Sequence, residues 1–559
     1  MTIFVVGLTY LVLSIIAFGK LPLTFFQQDE WAIFGNYLYW DKAALSWFER
    51  LFIFEQYTHL IPLANLFSYL QFKYFGLNFV PYGIVSILLH SLNAFLVYYL
   101  ASIITKNRLI GFLAGLFFLT NSISHQAITW VATTSGTAGS VFFSLLAIIF
   151  FIKYLILKSR FIYIFLSVSF LLVSALFKET SLFLFLLFPI IWFILRKRKT
   201  IREFFIIFLP LFITGFFYVI VRLYFLITGG GNSVQDSLSQ PSLIVFIFRA
   251  LTIPFKFLAQ SFIPTGFIID ASAFLVSLGY PQFSQGGVPN PYIVQSVGVD
   301  IISYGLAIAI VILCFFAVAS FQQNKRELWG KFIVITCIFI ALSSLPFIII
   351  PGPAGYFSLV DGRHLYLTNT FTSILLALLL SSVYFWFSKL KLRLILLVVV
   401  IGTLVFLHSL KIRSDINYQV GTGIIRTSIL NEVTEIYPVL PKRVVFYVES
   451  DKAYYGLPDD EKILPFQSGF GQALLVWYNN KGENFPACFF KDQFLYVLLS
   501  VGYRECGERG FGYFRKLDAL KLAVKENNLS VESIIGLRYN SSTHELSDIT
   551  NEVKLSLIK

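Results

Sequence analysis

The sequence predicts an all-α polytopic membrane protein with about eleven transmembrane helices and amphipathic helices on its outer face, followed by a small C-terminal α+β extracytoplasmic domain. Three observations predict it. Of 559 residues, 57% are hydrophobic and only 13% charged, where a soluble chain is nearer ~25% charged. The mean hydropathy is +0.76. The remaining charge is segregated: the net +13 falls in short clusters between apolar segments. That pattern is topological, since nucleic-acid binding would need a basic face on a folded domain.

A membrane helix needs roughly 20 apolar residues. Eleven segments qualify, at 3–19, 80–104, 109–124, 135–157, 161–177, 180–195, 204–227, 300–321, 332–351, 365–387 and 394–410. The first lacks a basic n-region and a small-x-small cleavage site, so it reads as a retained span. The basic clusters around Lys106, Lys158, Arg196, Lys325 and Lys389 fall in every second loop. All five therefore lie on one side, which the positive-inside rule assigns to the cytoplasm. An integral plasma-membrane protein with its N-terminus inside and its C-terminal region outside follows.

The segment 242–264 is apolar enough to span but contains Arg249, Pro254 and Lys256. As a span it would place the later basic clusters outside, so it is expected to lie as a helix in the outer interface. Gly229-Gly230-Gly231 before it lacks the lysine and strand of a phosphate-binding loop and reads as a turn. The first outer loop, 20–79, is long for a bundle connection. Trp31, Phe34, Tyr37, Leu38 and Trp40, then Leu60, Leu63, Leu66, Phe67 and Leu70, make amphipathic stretches expected on the membrane surface, roofing a cavity. The expected domains are 1–410 and 411–559. The second alternates strand-like runs (443–448, 511–515) with a helical stretch (517–527). Its Cys488 and Cys506 lie outside the membrane, where a disulfide is permitted, whereas Cys314 and Cys337 fall in apolar segments as inert packing.

Asp29 and Glu30 follow the first span directly. Adjacent carboxylates beside an apolar face must be hydrated, paired or used. They read either as a helix start, where acids suit the dipole, or as a catalytic pair.

Several segments together resemble a known family. Phe75-Gly76-Leu77-Asn78 with Tyr82 and His90-Ser91-Leu92-Asn93-Ala94 is similar to an "FGLN…GYH…LLHALNA" motif. Asn121-Ser122-Ile123-Ser124-His125-Gln126-Ala127-Ile128-Thr129-Trp130-Val131 resembles "HPVHTEAVAWV" and Phe177-Lys178-Glu179-Thr180 resembles "SKE". Tyr218 to Arg222 matches a "Y…R" pair, and Gly362-Arg363-His364-Leu365-Tyr366-Leu367 resembles "ERYLYLP". In this order they resemble the membrane half of the tetratricopeptide-carrying transmembrane O-mannosyltransferases. These are GT-C glycosyltransferases, with protein O-mannosyltransferases and aminoarabinose transferases as wider relatives. The likeness covers 1–410, and no tetratricopeptide pattern follows. The second motif departs from the family, with Asn121-Ser122 for His-Pro and Gln126 for Glu.

The resemblance implies a GT-C-like fold and an inverting hexosyl transfer. The sugar, mannose or similar, would move from a polyprenyl-phosphate donor to a hydroxyl of a protein or glycan acceptor at the outer face. Asp29 matches the family's base position, with Glu30 orienting it or the acceptor. Arg363, Lys178, Arg222 and His364 would bind the donor phosphate, because cations replace a general acid when the leaving group is a phosphate. The alternatives stay open: Lys178 pairing with Glu179, Arg222 snorkelling to headgroups, and His59 and His125 as acceptor or donor-phosphate contacts or ordinary interfacial residues. His90 reads as a helix–helix hydrogen bond. No HxH or HExxH spacing occurs, so no cofactor is expected, a divalent metal being the fallback. The other expected partners are membrane lipids. The rival classes are a lipid-linked sugar flippase or transporter and an oligosaccharyltransferase- or ligase-like enzyme.

Overall fold

The computed structural model describes residues 3–27, 29–53, 59–156, 160–196, 200–228, 243–279, 284–285, 288–289, 297–320, 323–349, 359–386, 392–452, 464–466, 470–491 and 502–558. The Gly229-Gly230-Gly231 turn, Lys158 and Lys389 lie outside them.

Each of the eleven expected segments is helical. In chain order the helices are α1 (Ile3–Phe18), α2 (Asp29–Lys42), α3 (Pro62–Phe75), α4 (Phe79–Thr105), α5 (Arg108–Leu119), α6 (Gln126–Thr129), α7 (Val131–Ile156), α8 (Phe161–Phe177), α9 (Leu184–Leu195) and α10 (Ile201–Thr228). Then follow α11 (Leu243–Gln260), α12 (Thr265–Gly279), α13 (Val299–Ser320), α14 (Gln323–Ser343), α15 (Leu345–Ile349), α16 (Thr368–Trp386) and α17 (Arg393–Ile436). Among the described residues, seven helices are long and apolar enough to cross a membrane, eight if the bent pair α11–α12 counts as one. Four shorter apolar helices, including α5, α8 and α16, complete the bundle. The protein is an integral membrane protein, mostly helical with a small C-terminal sheet.

Local chemistry fixes several starts. Asn78 caps α4 by accepting from the Val80 N–H at 3.1 Å, and Asn107 caps α5 from Leu109 at 2.9 Å. Between helices, polar side chains do what hydrophobicity cannot do in lipid. The Ser174 hydroxyl lies 3.0 Å from that of Ser140 and 2.7 Å from that of Ser144, pinning α8 to α7. Inside the bundle, His90 lies 2.8 Å from the Tyr366 hydroxyl and 3.0 Å from the Leu119 carbonyl. That is the helix–helix role expected of it. On α10, Phe204, Phe208, Phe212 and Phe216 stack in a ladder, the last three of them exposed.

The segment 242–264 is helical, as α11, but it packs on α13, α14 and α15. It meets α12 at a 114° bend, so the pair does not run straight across a bilayer.

The C-terminal lobe is a five-stranded sheet in the order β4-β5-β3-β6-β7. The strands are β3 (Arg443–Ser450), β4 (Gly502–Cys506), β5 (Arg509–Phe514), β6 (Ile534–Asn540) and β7 (Glu545–Asp548), after a two-residue hairpin, β1 (Ser284–Gln285) and β2 (Val288–Pro289). Central β3 is parallel to β5 and β6, and the edges are antiparallel. Val444, Phe446 and Val448 point to one face and Val445 and Tyr447 to the other, and all are buried. Cover on both faces explains the unbroken apolar run. Helices α18 (Phe470–Asn480), α19 (Leu517–Glu526) and α20 (Thr550–Ile558) supply much of it.

One expectation about the 20–79 loop needs correction. The apolar side of α2 does not lie on lipid: Trp31, Phe34, Tyr37 and Trp40 are at most 3% exposed and share one core with Val444, Phe446, Phe470 and Leu537. Amphipathicity reveals that a face is covered, without revealing what covers it. Helix α17 runs unbroken through residue 410, for 44 residues in all. At 1.5 Å per residue it is about 66 Å long, twice a hydrocarbon core of ~30 Å, so it carries the chain from its span into the C-terminal lobe.

Candidate functional site

The acidic pair opens α2, as two acids at a helix start should. Its members differ completely. Glu30 is 1% exposed. It accepts from the Gln27 N–H at 3.3 Å, the Trp130 indole N–H at 3.4 Å and the Ala132 N–H at 3.3 Å. It therefore ties α2 to the first turn of α7. Asp29 stays solvent-exposed. The protein crowding its carboxyl raises its pKa, and the Arg363 charge opposes that rise.

Arg363 sits on the single 3₁₀ turn Gly362–Leu365 before α16. Its guanidinium stacks over the Trp130 ring, 4.6 Å from the centroid, and its Nε pairs with Asp361 at 2.9 Å. Gly362 is required, because a Cβ there would collide with the Ile123 carbonyl. Glu30, Trp130 and Arg363 are thus stacked in series: the carboxylate fixes the indole, and the indole carries the guanidinium.

Lys178 caps the end of α8, its Nζ donating to the Thr137 hydroxyl at 2.5 Å. Burial lowers its pKa to about 8, helped by Arg363 and opposed by Asp361 and Glu179. His364 is lowered to about 3 by burial, then by Lys178, Arg363 and His59, so it is neutral at physiological pH. Among the described residues its Nδ1 has no hydrogen-bond partner. Asp29, Arg363, Lys178 and His364 therefore form one electrostatic cluster.

Arg222 and His59 join a neighbouring group. Glu179 receives Arg222 Nε at 3.0 Å, His59 Nδ1 at 3.0 Å and the Leu60 N–H at 2.8 Å. The pairing of Lys178 with Glu179 that spacing allowed gives way to this three-way grip, and Arg222 is neutralised by protein. His125 turns from the cluster too. Its Nε2 meets Asp415 at 3.1 Å, and Lys411 meets the same carboxylate at 2.7 Å. These line a cleft of about 390 Å³, within the usual range of small-molecule sites. Gln27 and Gly362, two residues and one residue from Asp29 and Arg363, form its near wall.

Sequence reasoning missed Asp361, Thr137, Lys411 and Asp415. Asp361 had a signal in its position two residues before Arg363. The others come from distant helices. No group of three or more metal-binding side chains occurs among the described residues. In the C-terminal lobe, Cys488 and Cys506 face each other with Cα atoms 6.3 Å apart, inside the span a disulfide bridges.

No family profile matches the chain, and no curated protein matches it. Among solved structures, ArnT from Cupriavidus metallidurans bound to undecaprenyl phosphate is similar at 11% identity and a TM-score of 0.35, over 96% of this chain and 93% of that one.

Proposed function

We propose that this membrane protein is an inverting GT-C glycosyltransferase that moves a sugar from a polyprenyl-phosphate carrier to an acceptor hydroxyl at the outer face. A hexose such as mannose is the sugar that the motif resemblance favours. The observation that carries the reading is the cluster itself: a solvent-open carboxylate with a raised pKa, beside a stacked guanidinium and a half-buried lysine. Asp29 accepts the acceptor's proton as its oxygen bonds to the anomeric carbon. The carbon–oxygen bond to the carrier breaks, and the electron pair leaves on the lipid phosphate. Arg363 and Lys178 neutralise that phosphate, so no general acid is needed. Glu30 and Trp130 position Arg363 without touching substrate, and neutral His364 is available to accept or donate a single hydrogen bond.

The test is Asp29→Asn, which keeps shape and removes basicity. With purified protein and polyprenyl-phosphate mannose, release of polyprenyl phosphate in the presence of a panel of protein and glycan acceptors should fall by at least ~10²-fold. Donor binding should be retained. Turnover near the wild-type rate would show that Asp29 is not the base, and absence of release by the wild-type protein itself would favour a transport function.

A further inference from the structure

The inward face of α11 carries a polar stripe. Arg249, Thr252, Lys256 and Gln260 are spaced by three, four and four residues, so they lie in one row along the helix. All are buried: Thr252 is 7% exposed and the other three 0%. Two of the four are satisfied. Gln260 Oε1 accepts from the Val360 N–H at 2.8 Å, and Lys256 Nζ pairs with Asp300 at 2.6 Å. The other two are not. Among the described residues, Nε, Nη1 and Nη2 of Arg249 and Oγ1 of Thr252 have no hydrogen-bond partner.

A guanidinium cannot escape its charge by losing a proton. Left buried without a counter-charge it is strongly destabilising, and unsatisfied buried groups of this kind commonly mark a missing ion. Lys256 is offset by Asp300, so the stripe carries one excess positive charge, located on Arg249. We propose that Arg249 and Thr252 bind the phosphate head of an anionic lipid. The planar fork of an arginine matches two phosphate oxygens at once, and the threonine hydroxyl one turn on donates to a third.

Two sources carry this chemistry, a lipid headgroup and a free phosphate. Leu243, Ile244, Phe248, Leu251 and Phe255 are exposed on the outward face of α11, so acyl chains border this helix and the lipid is the source tested first, against inorganic phosphate. The site is separate from the Arg363 cluster. Gln260 is the residue of the stripe tied to Val360, three residues before Arg363, and Arg249 lies eleven residues from it, about 16 Å along the helix. The proposal stands whether or not Asp29 is a base.

The test uses full-length protein, delipidated in a neutral detergent, and reads binding by native mass spectrometry and stability by the unfolding midpoint. Dioleoyl phosphatidic acid should bind and raise the midpoint by several degrees. Dioleoylglycerol, which has the same chains without the phosphate, and millimolar inorganic phosphate should do neither. Arg249→Met should weaken phosphatidic acid binding at least about tenfold, and Arg249→Lys should keep part of it. Asp29→Asn should bind it like the wild type. Without lipid, Arg249→Met should unfold at a higher temperature than the wild type, because the uncompensated charge is gone. Lys256→Met, which strands Asp300, should unfold at a lower one. Unchanged affinity in Arg249→Met, or a lowered lipid-free midpoint for that variant, would overturn the proposal. So would inorganic phosphate matching phosphatidic acid, since the site would then take a soluble anion.

Discussion

Glu179 is the residue whose loss has the most calculable effect. Its carboxylate holds Arg222, His59 and the Leu60 N–H at once. Glu179→Gln preserves the volume and one carbonyl oxygen, so the Leu60 contact survives. What is lost is the charge opposite Arg222, whose side chain is 16% exposed, against 22% for Glu179. Stranding one member of a fully buried pair costs ~3–5 kcal/mol, while exposed pairs contribute ~0–1 kcal/mol. These exposures put the pair nearer the buried limit, and the remaining solvent reduces the cost to about 2–3 kcal/mol. Glu179→Gln, Arg222→Met and the double variant should be unfolded in mixed micelles and compared as a cycle. The double variant should recover at least ~1 kcal/mol, because it removes both halves of the pair together. Additive losses, or a Glu179→Gln variant within ~0.5 kcal/mol of the wild type, would refute the claim that this grip anchors the 59–60 segment to α8 and α10.

Three further outcomes follow from the geometry. The rate should have a bell-shaped pH profile: its acid limb should lie above the ordinary aspartate range, because crowding raises Asp29, and its falling limb near the Lys178 value of about 8. Below that pH Lys178 keeps its charge and above it the cation is lost, so Lys178→Arg should move the falling limb to higher pH in steady-state assays. Arg363→Ala should weaken donor binding by at least about tenfold in direct titration, and Arg363→Lys should restore only part, since stacking on Trp130 and the fork are both lost. Cys488 and Cys506 should be isolated as a linked peptide pair from non-reduced digests, and replacing both with serine should lower the stability of the outer lobe by ~3 kcal/mol, the chain-entropy value for a short loop.

Much of the bundle was legible in the sequence, because a stretch of twenty apolar residues has few fates. The boundaries were less so. The apolar run at 365 begins inside the turn that carries Arg363, and hydropathy cannot separate a 3₁₀ turn from a helix start. Strands β3 and β5 and helix α19 were visible as strand-like and helical runs within two residues of their ends. At the site, Asp29, Lys178 and Arg363 were each conspicuous as charges at apolar edges. Their partners were invisible because they are ordinary: Thr137 is a mid-helix threonine, and Trp130 looks like any interfacial indole. The division of labour within the acidic pair was also hidden, since it depends on Ala132 and Trp130 approaching from α7.

The core shared by α2 and the C-terminal sheet constrains how the chain matures. Trp31, Phe34 and Trp40 leave the ribosome early, while the Val444 and Phe446 that cover them follow about 400 residues later. At ~5–20 residues per second that is a wait of roughly 20–80 s. During it the aromatic face beside Asp29 lacks its C-terminal cover. The core under the acidic pair therefore closes only when the last lobe docks, and the timing of assembly is set by the far end of the polypeptide.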